Sequence, residues 1–293
     1  MAEQFTSLFP LRCGDINIRD PFVVCAHGQY YLYGTRAKDF GMRSGGFDVY
    51  ISSDLVHWSL PHAVFDSEAY GLNRASNWAP EVHKYNGRYY IFATFEQPNG
   101  NRGTYALVSD SLTGPFALHS DGALTPAEWQ SLDGTLWVED GKPYLVFCHE
   151  HVQILNGTVC CVELSADLRR AVGEPTLLFY GSDAYGVPRN DDGRYVTDGP
   201  FLYRGRNGAL YMIWSTCPPA GYYQGICVSE TGKVAGPWRQ LPPLYTKDGG
   251  HGMLFRDSDG TLRLTLHSPN RSLQEHPVFF RVTEDGDSLH VAE

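Results

Sequence analysis

The sequence lacks long hydrophobic runs and any excess of basic residues. No apolar stretch approaches the roughly 20 residues that a transmembrane helix needs, and the net charge is −10. A nucleic acid or an anionic membrane surface is therefore a disfavoured partner. The N-terminal sequence MAEQFTSLFPLRCGD lacks the basic and then apolar segments that mark a secretory signal. We expect a cytoplasmic protein, or a secreted or periplasmic one if a signal peptide has been removed.

The sequence also lacks cysteine pairs with the spacing of a zinc site or a disulfide framework. Its seven cysteines include no CxxC pair, and Cys160 and Cys161 are adjacent. Cys148, Cys160 and Cys227 lie in strand-like segments, where buried free thiols are common. An odd number of cysteines without paired spacing indicates free thiols in a reducing compartment.

The composition is typical of a folded domain rich in strands. Apolar residues make up 42 % of the 293 residues and charged residues 19 %, so the chain can bury a sizeable core. Aromatic residues reach 13 %, which favours β-strands and also suits packing against the apolar faces of sugars. No long amphipathic helical pattern and no linker interrupts the chain. We predict a single domain over residues 1–293.

A hairpin pattern occurs five times along the chain and determines the predicted fold. In each copy two β-rich segments flank a turn that contains glycine, and a further strand with a serine–acidic turn follows. Four strands per unit, at a period of about 50 to 65 residues, predict an all-β protein with a five-bladed β-propeller. A β-sandwich or a β-solenoid would not explain this period. The copies are DPFVVCAHGQYYLYGT, PEVHKYNGRYYIFATF, DGTLWVEDGKPYLVFCH, DGPFLYRGRNGALYMIWST and HGMLFRDSDGTLRLTLHSPN.

Charged residues stand at the start of the hairpins, where the first strand of each blade would line one mouth of the channel. Aligning the hairpins places Asp20, Glu81, Asp133, Asp198 and His251 there. Like charges in a restricted cleft raise each other's pKa values, so such a cluster suits cation binding or acid–base catalysis. Taken singly, Asp20, Asp198 and His251 could be turn residues, and Glu81 a charge at a strand edge.

Five segments at these positions together resemble glycoside hydrolase family 43. The resemblance covers the whole chain, blade by blade, and implies a five-bladed propeller with an inverting mechanism that uses one acidic residue from each of three blades. The segments are RDPFVV from Arg19, NWAPEVHKYNGRYYIFAT from Asn77, SLDGTLWVEDGKPYL from Ser131, TDGPFLYR from Thr197 and GHGMLF from Gly250.

The resemblance assigns roles to these residues. It implies that Asp20 is the general base, that Asp133 tunes the pKa of the acid, and that Asp198 is the general acid. The family usually has a glutamate in place of Asp198, so the acid here is one methylene shorter, and Glu81 is the alternative. His251 matches a histidine that helps to hold a metal ion, commonly calcium, near the axis and largely through water. No cofactor is expected for the chemistry itself.

Further side chains are predicted to contact the substrate. Trp78 could stack on a sugar ring or pack between blades. His267 and Arg271 could contact substrate hydroxyls or the acid, or lie in a solvated loop. Glu81 belongs to this group if it is not the acid. The only expected partner is a carbohydrate, since nothing in the sequence points to an obligate protein partner.

The expected activity is exo-acting release of a terminal sugar, with α-L-arabinofuranose preferred, from plant-type oligosaccharides or polysaccharides. β-Xylosidase and galactofuranosidase activity on the same scaffold remain alternatives. A non-catalytic propeller that binds glycans or proteins is a third, although such a protein has no need of an axial acid cluster.

Overall fold

The computed structural model describes residues 8–37, 45–73, 75–188, 192–286 and 288–292. These residues form five antiparallel sheets arranged as a five-bladed β-propeller, which confirms the predicted fold class. The first strands of successive blades pack against one another around the axis, and the first strand of the last blade closes the ring against Ile18–Ala26. None of the helices in the described part of the chain is long and apolar enough to cross a membrane.

Each blade is built from strands that run outward from the axis in chain order, with extra short strands on the first blade. Blade 1 contains Ile18–Ala26, Gln29–Arg36, Gly46–Ser52 and His62–Asp66, with Leu11–Arg12 and His57–Trp58 at its edge. Blade 2 contains Trp78–Tyr85, Arg88–Glu96, Arg102–Ser109 and Ala117–Leu118. Blade 3 contains Ser131–Glu139, Lys142–His149, Thr158–Leu164 and Ala171–Tyr180.

The last two blades have the same four-stranded plan, and the helices are short. Blade 4 contains Asp198–Arg204, Leu210–Thr216, Tyr223–Ser229 and Trp238–Tyr245. Blade 5 contains Gly250–Arg256, Leu262–Ser268, His276–Asp285 and Ser288–Val291. One α-helix, α1, spans His151–Ile154, and 3-10 turns span Cys13–Asp15, Glu68–Tyr70 and Gly181–Asp183.

Turn residues explain why the first two strands of a blade pair as a hairpin. At Asn86–Gly87 and at Asp140–Gly141 both residues have positive φ, between 45° and 84°. Asparagine, aspartate and glycine tolerate this left-handed conformation, and the resulting turn matches the twist of the two strands.

Aromatic side chains fill the space between blades. Trp58 of blade 1 stacks on Phe279 of blade 5 with ring centroids 5.9 Å apart, and Phe179 of blade 3 lies 5.1 Å from Trp214 of blade 4. Such pairs add about 0.5–1.5 kcal/mol each beyond the area that they bury. The interfaces between blades, including the one that joins the first blade to the last, are therefore apolar and well packed.

A β-bulge interrupts the first strand of every blade at the same place. The first bulge residue has a left-handed backbone in all five, with φ between 49° and 58°. Bulges re-aim side chains and are common beside active sites. The register shifts follow Arg19, Trp78, Leu132, Asp198 and Gly250. The bulge residues themselves are Asp20, Ala79, Asp133, Gly199 and His251.

Candidate active site

A cavity of about 280 Å³ lies at the bulged ends of the first strands, on the propeller axis. All five blades or the loops beside them contribute to its lining, in which charged and polar side chains dominate. A larger cavity of about 770 Å³ lies between turns of blades 4 and 5, where Arg256 is paired with Glu284 at 2.6 Å. Residues that line the axial cavity include Arg19, Asp20, Trp78, Asp133, Glu150, His151, Asp198, Cys217, Tyr222, His251 and Asn270.

Asp20 is buried and is held in place by one residue of its own blade and one residue of blade 5. Its N–H donates to Nδ1 of His267 at 3.2 Å, and its Oδ2 lies 2.6 Å from the Thr35 hydroxyl. That hydroxyl accepts the Ala79 N–H at 2.7 Å, so its own proton is directed at Asp20. Burial opposes ionisation, but His251, Arg19 and the Thr35 hydrogen bond together hold the pKa of Asp20 below its ordinary value. Asp20 is therefore ionised at neutral pH.

Asp133 is buried at the equivalent bulge of blade 3. Its N–H donates to Oγ1 of Thr94 at 2.9 Å, and its Oδ2 accepts the Gly199 N–H at 3.0 Å. Burial raises the pKa of Asp133 well above its ordinary value, and the negative charges of Asp198 and Asp20 add to this effect while His251 opposes it. Asp133, whose side chain holds the backbone next to Asp198, is therefore a weaker acid than an ordinary aspartate.

Asp198 immediately precedes the bulge of blade 4 and faces the cavity. Its Oδ2 accepts a hydrogen bond from the Tyr222 hydroxyl at 3.0 Å. Burial raises the pKa of Asp198 above its ordinary value, although His251 and the Tyr222 hydrogen bond act in the opposite direction. A raised pKa favours the protonated form of the carboxyl, which is the form that a general acid needs.

His251 is the central cation of the cluster. Its Nδ1 lies 3.1 Å from Oδ1 of Asp20 and 3.6 Å from Oδ2 of Asp133. Burial disfavours its charged form, but the carboxylates of Asp20, Asp133 and Asp198 outweigh burial and raise its pKa. Its ring packs on Gly199, where a Cβ would come within 2.4 Å of Cδ2. His251 therefore offsets the negative charge of the carboxylates. Its ring fits at this position because residue 199 is a glycine, which has no Cβ.

The expectation of a calcium ion at His251 gains no support from the surrounding side chains. Calcium takes six to eight oxygen ligands, whereas Nδ1 of His251 is already engaged with Asp20 and Asp133. The described residues contain no group of three or more His, Cys, Asp or Glu side chains arranged to hold a metal. These side chains alone do not complete a calcium coordination shell, so a metal ion held at His251 largely through water stays a prediction.

The bulges show which residues of the five hairpins are structurally equivalent, and these differ in part from the residues aligned by sequence. The residue equivalent to Asp20 in blade 2 is Ala79, and Glu81 lies two positions further along the strand. Glu81 is 5 % exposed, accepts from Nε2 of His83 at 3.0 Å, and does not line the cavity. Its predicted position at the mouth beside Asp20 is therefore wrong, while its roles as a substrate contact and as the alternative acid stay predictions. Asp198 likewise lies one residue before its bulge, which Gly199 occupies.

The three other predicted substrate contacts have different outcomes. Trp78 lines the cavity, with the Arg102 guanidinium 5.2 Å from its ring centroid, so stacking on a sugar stays a prediction. His267 is fully buried, and burial lowers its pKa to about 3, so it is a neutral residue that holds Asp20 rather than a substrate contact. Arg271 is exposed, 3.8 Å from Asp248, and does not line the cavity.

Sequence reasoning missed a set of supporting residues on the second strands. In each blade, one residue of the second strand pairs with the first-strand residue that precedes the bulge. In four of the five blades the side chain of this second-strand residue accepts the N–H of the bulge residue in the next blade. Blade 3 differs, because Cys148 occupies that position and the Gly199 N–H donates to Asp133 instead. The small polar residues recur at the repeat period, which is the signal that could have revealed them. The four acceptors are Thr35, Thr94, Ser215 and His267.

The lowered pKa of Asp20 and the raised pKa of Asp198 suit these two carboxyls to opposite roles in an acid–base reaction. A general base that activates water and a general acid that protonates a leaving oxygen are what hydrolysis with inversion at an anomeric carbon requires. A model of Glycosyl hydrolases family 43 matches residues 15–284.

Individual relatives agree with the family match. A solved endo-arabinase from Bacteroides thetaiotaomicron VPI-5482 is 36 % identical, with a TM-score of 0.85 over 94 % of this chain and 98 % of that one. The extracellular endo-alpha-(1->5)-L-arabinanase 1 of Bacillus subtilis (strain 168) is 23 % identical over 83 % of this chain and 73 % of its own length. A solved alpha-L-arabinofuranosidase from Lactobacillus brevis, 18 % identical with a TM-score of 0.72 over 92 % of each chain, shares the fold. The chain therefore belongs to glycosyl hydrolases family 43 and is a glycoside hydrolase.

Proposed function

We propose that this glycoside hydrolase cleaves α-L-arabinofuranosyl linkages within arabinan-type chains, with inversion at the anomeric carbon. The observation that carries the mechanism is the contrast between two carboxyls in one cavity, the buried Asp20 and the partly buried Asp198. Asp20 has a lowered pKa and Asp198 a raised one. Groups whose surroundings drive their pKa values apart are suited to opposite roles in acid–base catalysis.

In the proposed reaction Asp20 accepts a proton from water as the water oxygen attacks the anomeric carbon. Asp198 donates its proton to the glycosidic oxygen as the bond between that oxygen and the anomeric carbon breaks. The released alcohol carries the proton from Asp198, and the new hemiacetal carries the hydroxyl from water. Asp133 holds the N–H next to Asp198, so its role is to orient the acid.

Arabinan is supported by the likeness to the Bacteroides thetaiotaomicron endo-arabinase and to the Bacillus subtilis endo-arabinanase. These relatives also favour internal cleavage over the terminal release that the sequence led us to expect. Internal and terminal cleavage differ in what bounds the cleft beside the catalytic carboxyls. For internal cleavage the cleft must be open at both ends, because the polysaccharide extends past the carboxyls in both directions.

The test is digestion of linear arabinan, followed by the size distribution of early products and by proton NMR before mutarotation. Internal cleavage gives a ladder of oligosaccharides and a rapid fall in viscosity, with the inverted anomer formed first. Release of arabinose alone would support terminal cleavage instead. A retained anomer would exclude the reaction with one base, one acid and one water, and no hydrolysis of any arabinoside would exclude the substrate class.

A further inference from the structure

Tyr222 lies between the acid and the group that holds the base. It is 3 % exposed and lines the axial cavity. Its hydroxyl donates to Oδ2 of Asp198 at 3.0 Å. Its ring stacks on His267, with centroids 5.5 Å apart and an interplanar angle of 22°. His267 in turn accepts the N–H of Asp20, so one side chain contacts both halves of the catalytic apparatus.

The backbone of Tyr222 fixes where the hydroxyl can be. Tyr222 directly precedes the strand Tyr223–Ser229 of blade 4, and its carbonyl accepts the Gly249 N–H at 2.9 Å. Its ring also packs against Gly250, where a Cβ would lie 2.7 Å from the ring. Because blade 5 holds the Tyr222 ring on two sides, the hydroxyl oxygen can move little. Only its proton can rotate freely about the C–O bond.

We propose that Tyr222 is a positioning residue of the reaction, which aims the Asp198 carboxyl into the cavity and holds it relative to the Asp20 side of the site. This proposal rests on the assignment of Asp198 as the acid in the proposed function. Asp198 has a short side chain, and the hydrogen bond from Tyr222 selects one orientation of its carboxyl. Placement errors of about 1 Å at a reacting group cost about 100-fold in rate, so a fixed orientation is valuable.

The phenol can serve the acid in both of its protonation states. Burial raises the pKa of Tyr222 well above its ordinary value, so the hydroxyl stays neutral over the working range. It donates to the ionised carboxylate, and it can accept the proton of the carboxylic acid by rotation. Donation favours the ionised form and so lowers the pKa of Asp198. The other titratable groups that face or interact with Asp198 are His251, Asp20, Asp133, His151, Glu150, Cys148 and Cys217.

The experiment compares Tyr222→Phe with Tyr223→Phe. The neighbouring Tyr223 is also buried, but its hydroxyl is directed at the Tyr185 carbonyl at 3.5 Å and it does not line the cavity. We expect Tyr222→Phe to lower kcat on an arabino-oligosaccharide by about 10- to 100-fold, with a much smaller loss on 4-nitrophenyl α-L-arabinofuranoside, whose leaving group needs no proton. KM should change little, and Tyr223→Phe should behave as the wild type.

The pH profile separates positioning of the acid from a general structural defect. Loss of the donated hydrogen bond raises the pKa of Asp198, so the alkaline limb of kcat/KM should move to higher pH in Tyr222→Phe alone. A profile that is lower but unmoved, or equal losses on both substrates, would overturn the proposal.

A titration that needs no substrate distinguishes this proposal from the proposed function. Carboxyl-labelled aspartate, followed by carbon NMR and assigned with Asp198→Asn, should titrate at higher pH in Tyr222→Phe than in the wild type. An unchanged titration would refute the role of Tyr222 even in an active enzyme. A wild type that is inactive on all arabinosides would refute the substrate instead, while the titration would still report on Tyr222. Thermal unfolding of both variants checks that each is folded.

Discussion

The N–H of Gly199 donates a hydrogen bond to the side-chain carboxyl group of Asp133, 3.0 Å away. The peptide group that follows Asp198, the proposed acid, is thus held by the side chain of another blade. In the other four blades the N–H of the bulge residue is accepted by a side chain on a second strand, but Cys148 occupies that position beside Gly199. A thiol is a weak acceptor, so the Gly199 N–H remains available to Asp133.

Replacing the base tests the centre of the mechanism. Asp20→Asn should lower kcat at least about 100-fold while the protein stays folded, because an amide cannot take the proton of the attacking water. Steady-state kinetics on arabino-oligosaccharides measures the loss. The matched control is Asp110→Asn, since Asp110 has a side chain that is 81 % exposed and lies outside the cavity. Retention of more than about a tenth of the wild-type kcat by Asp20→Asn would remove Asp20 from this role.

Replacing the acid should affect substrates according to their leaving groups. Asp198→Ala should strongly reduce kcat/KM for natural oligosaccharides, whose leaving alcohols require a proton. It should reduce kcat/KM for 4-nitrophenyl α-L-arabinofuranoside much less, because the phenolate departs unaided. The ratio of the two losses gives the transition-state stabilisation that depends on proton donation. Asp198→Asn is the isosteric companion, and equal losses on the two substrates would mean that Asp198 binds the sugar rather than protonates it.

The Thr35 hydroxyl should set the acidic limb of the pH profile. Its hydrogen bond to Asp20 favours the carboxylate and so lowers the pKa of Asp20. Thr35→Val removes that bond, so the pKa of Asp20 should rise and the acidic limb of kcat/KM should move to higher pH. The variant should also lose about 1–3 kcal/mol of unfolding free energy, because the buried Ala79 N–H loses its acceptor.

A control for Thr35→Val is provided by Thr265→Val. Thr265 is fully buried, and its hydroxyl has no hydrogen-bond partner among the described residues. Its replacement should leave both limbs of the profile in place and should not destabilise the protein. An unmoved acidic limb in Thr35→Val would show that the hydroxyl contributes only to folding.

Gly199 should be required for activity more than for folding. Gly199→Ala places a Cβ within 2.4 Å of the His251 ring, at a φ of +50° that alanine disfavours. The ring must move away from Asp20 and Asp133, so kcat should fall along with an unfolding free-energy loss of at least about 1 kcal/mol. Gly28→Ala carries the same kind of backbone strain at φ +73° with nothing within 4 Å. It should lose stability without losing kcat, and equal kcat losses in the two variants would contradict the steric argument.

The fold was readable from the sequence because its signals are local and repeated. Turns such as Asn86–Gly87 and Asp140–Gly141 require left-handed residues, and the hairpins that they close recur at the period of a blade. Asp20 and Asp133 were found for the same reason, since each stands at the same place in its repeat.

The parts of the site that were missed depend on a bulge or on distant contacts. Aligning the repeats on their acidic residues placed Glu81 with Asp20, whereas aligning them on the second bulge residue, Pro21 or Pro80, would have paired Asp20 with Ala79. The role of His267 has no local signal, because its contact with Asp20 joins residues 247 positions apart.

That long-range contact has a consequence for how the enzyme matures. Asp20, the proposed base, lies in the first of the five blades to be synthesised. His251 and His267, which interact with it, and Glu275, which pairs with Arg19, lie in the last part of the chain. A nascent chain can complete the earlier blades while the geometry around Asp20 is still unformed. Hydrolytic competence therefore requires ring closure, and any product truncated before blade 5 should lack hydrolase activity.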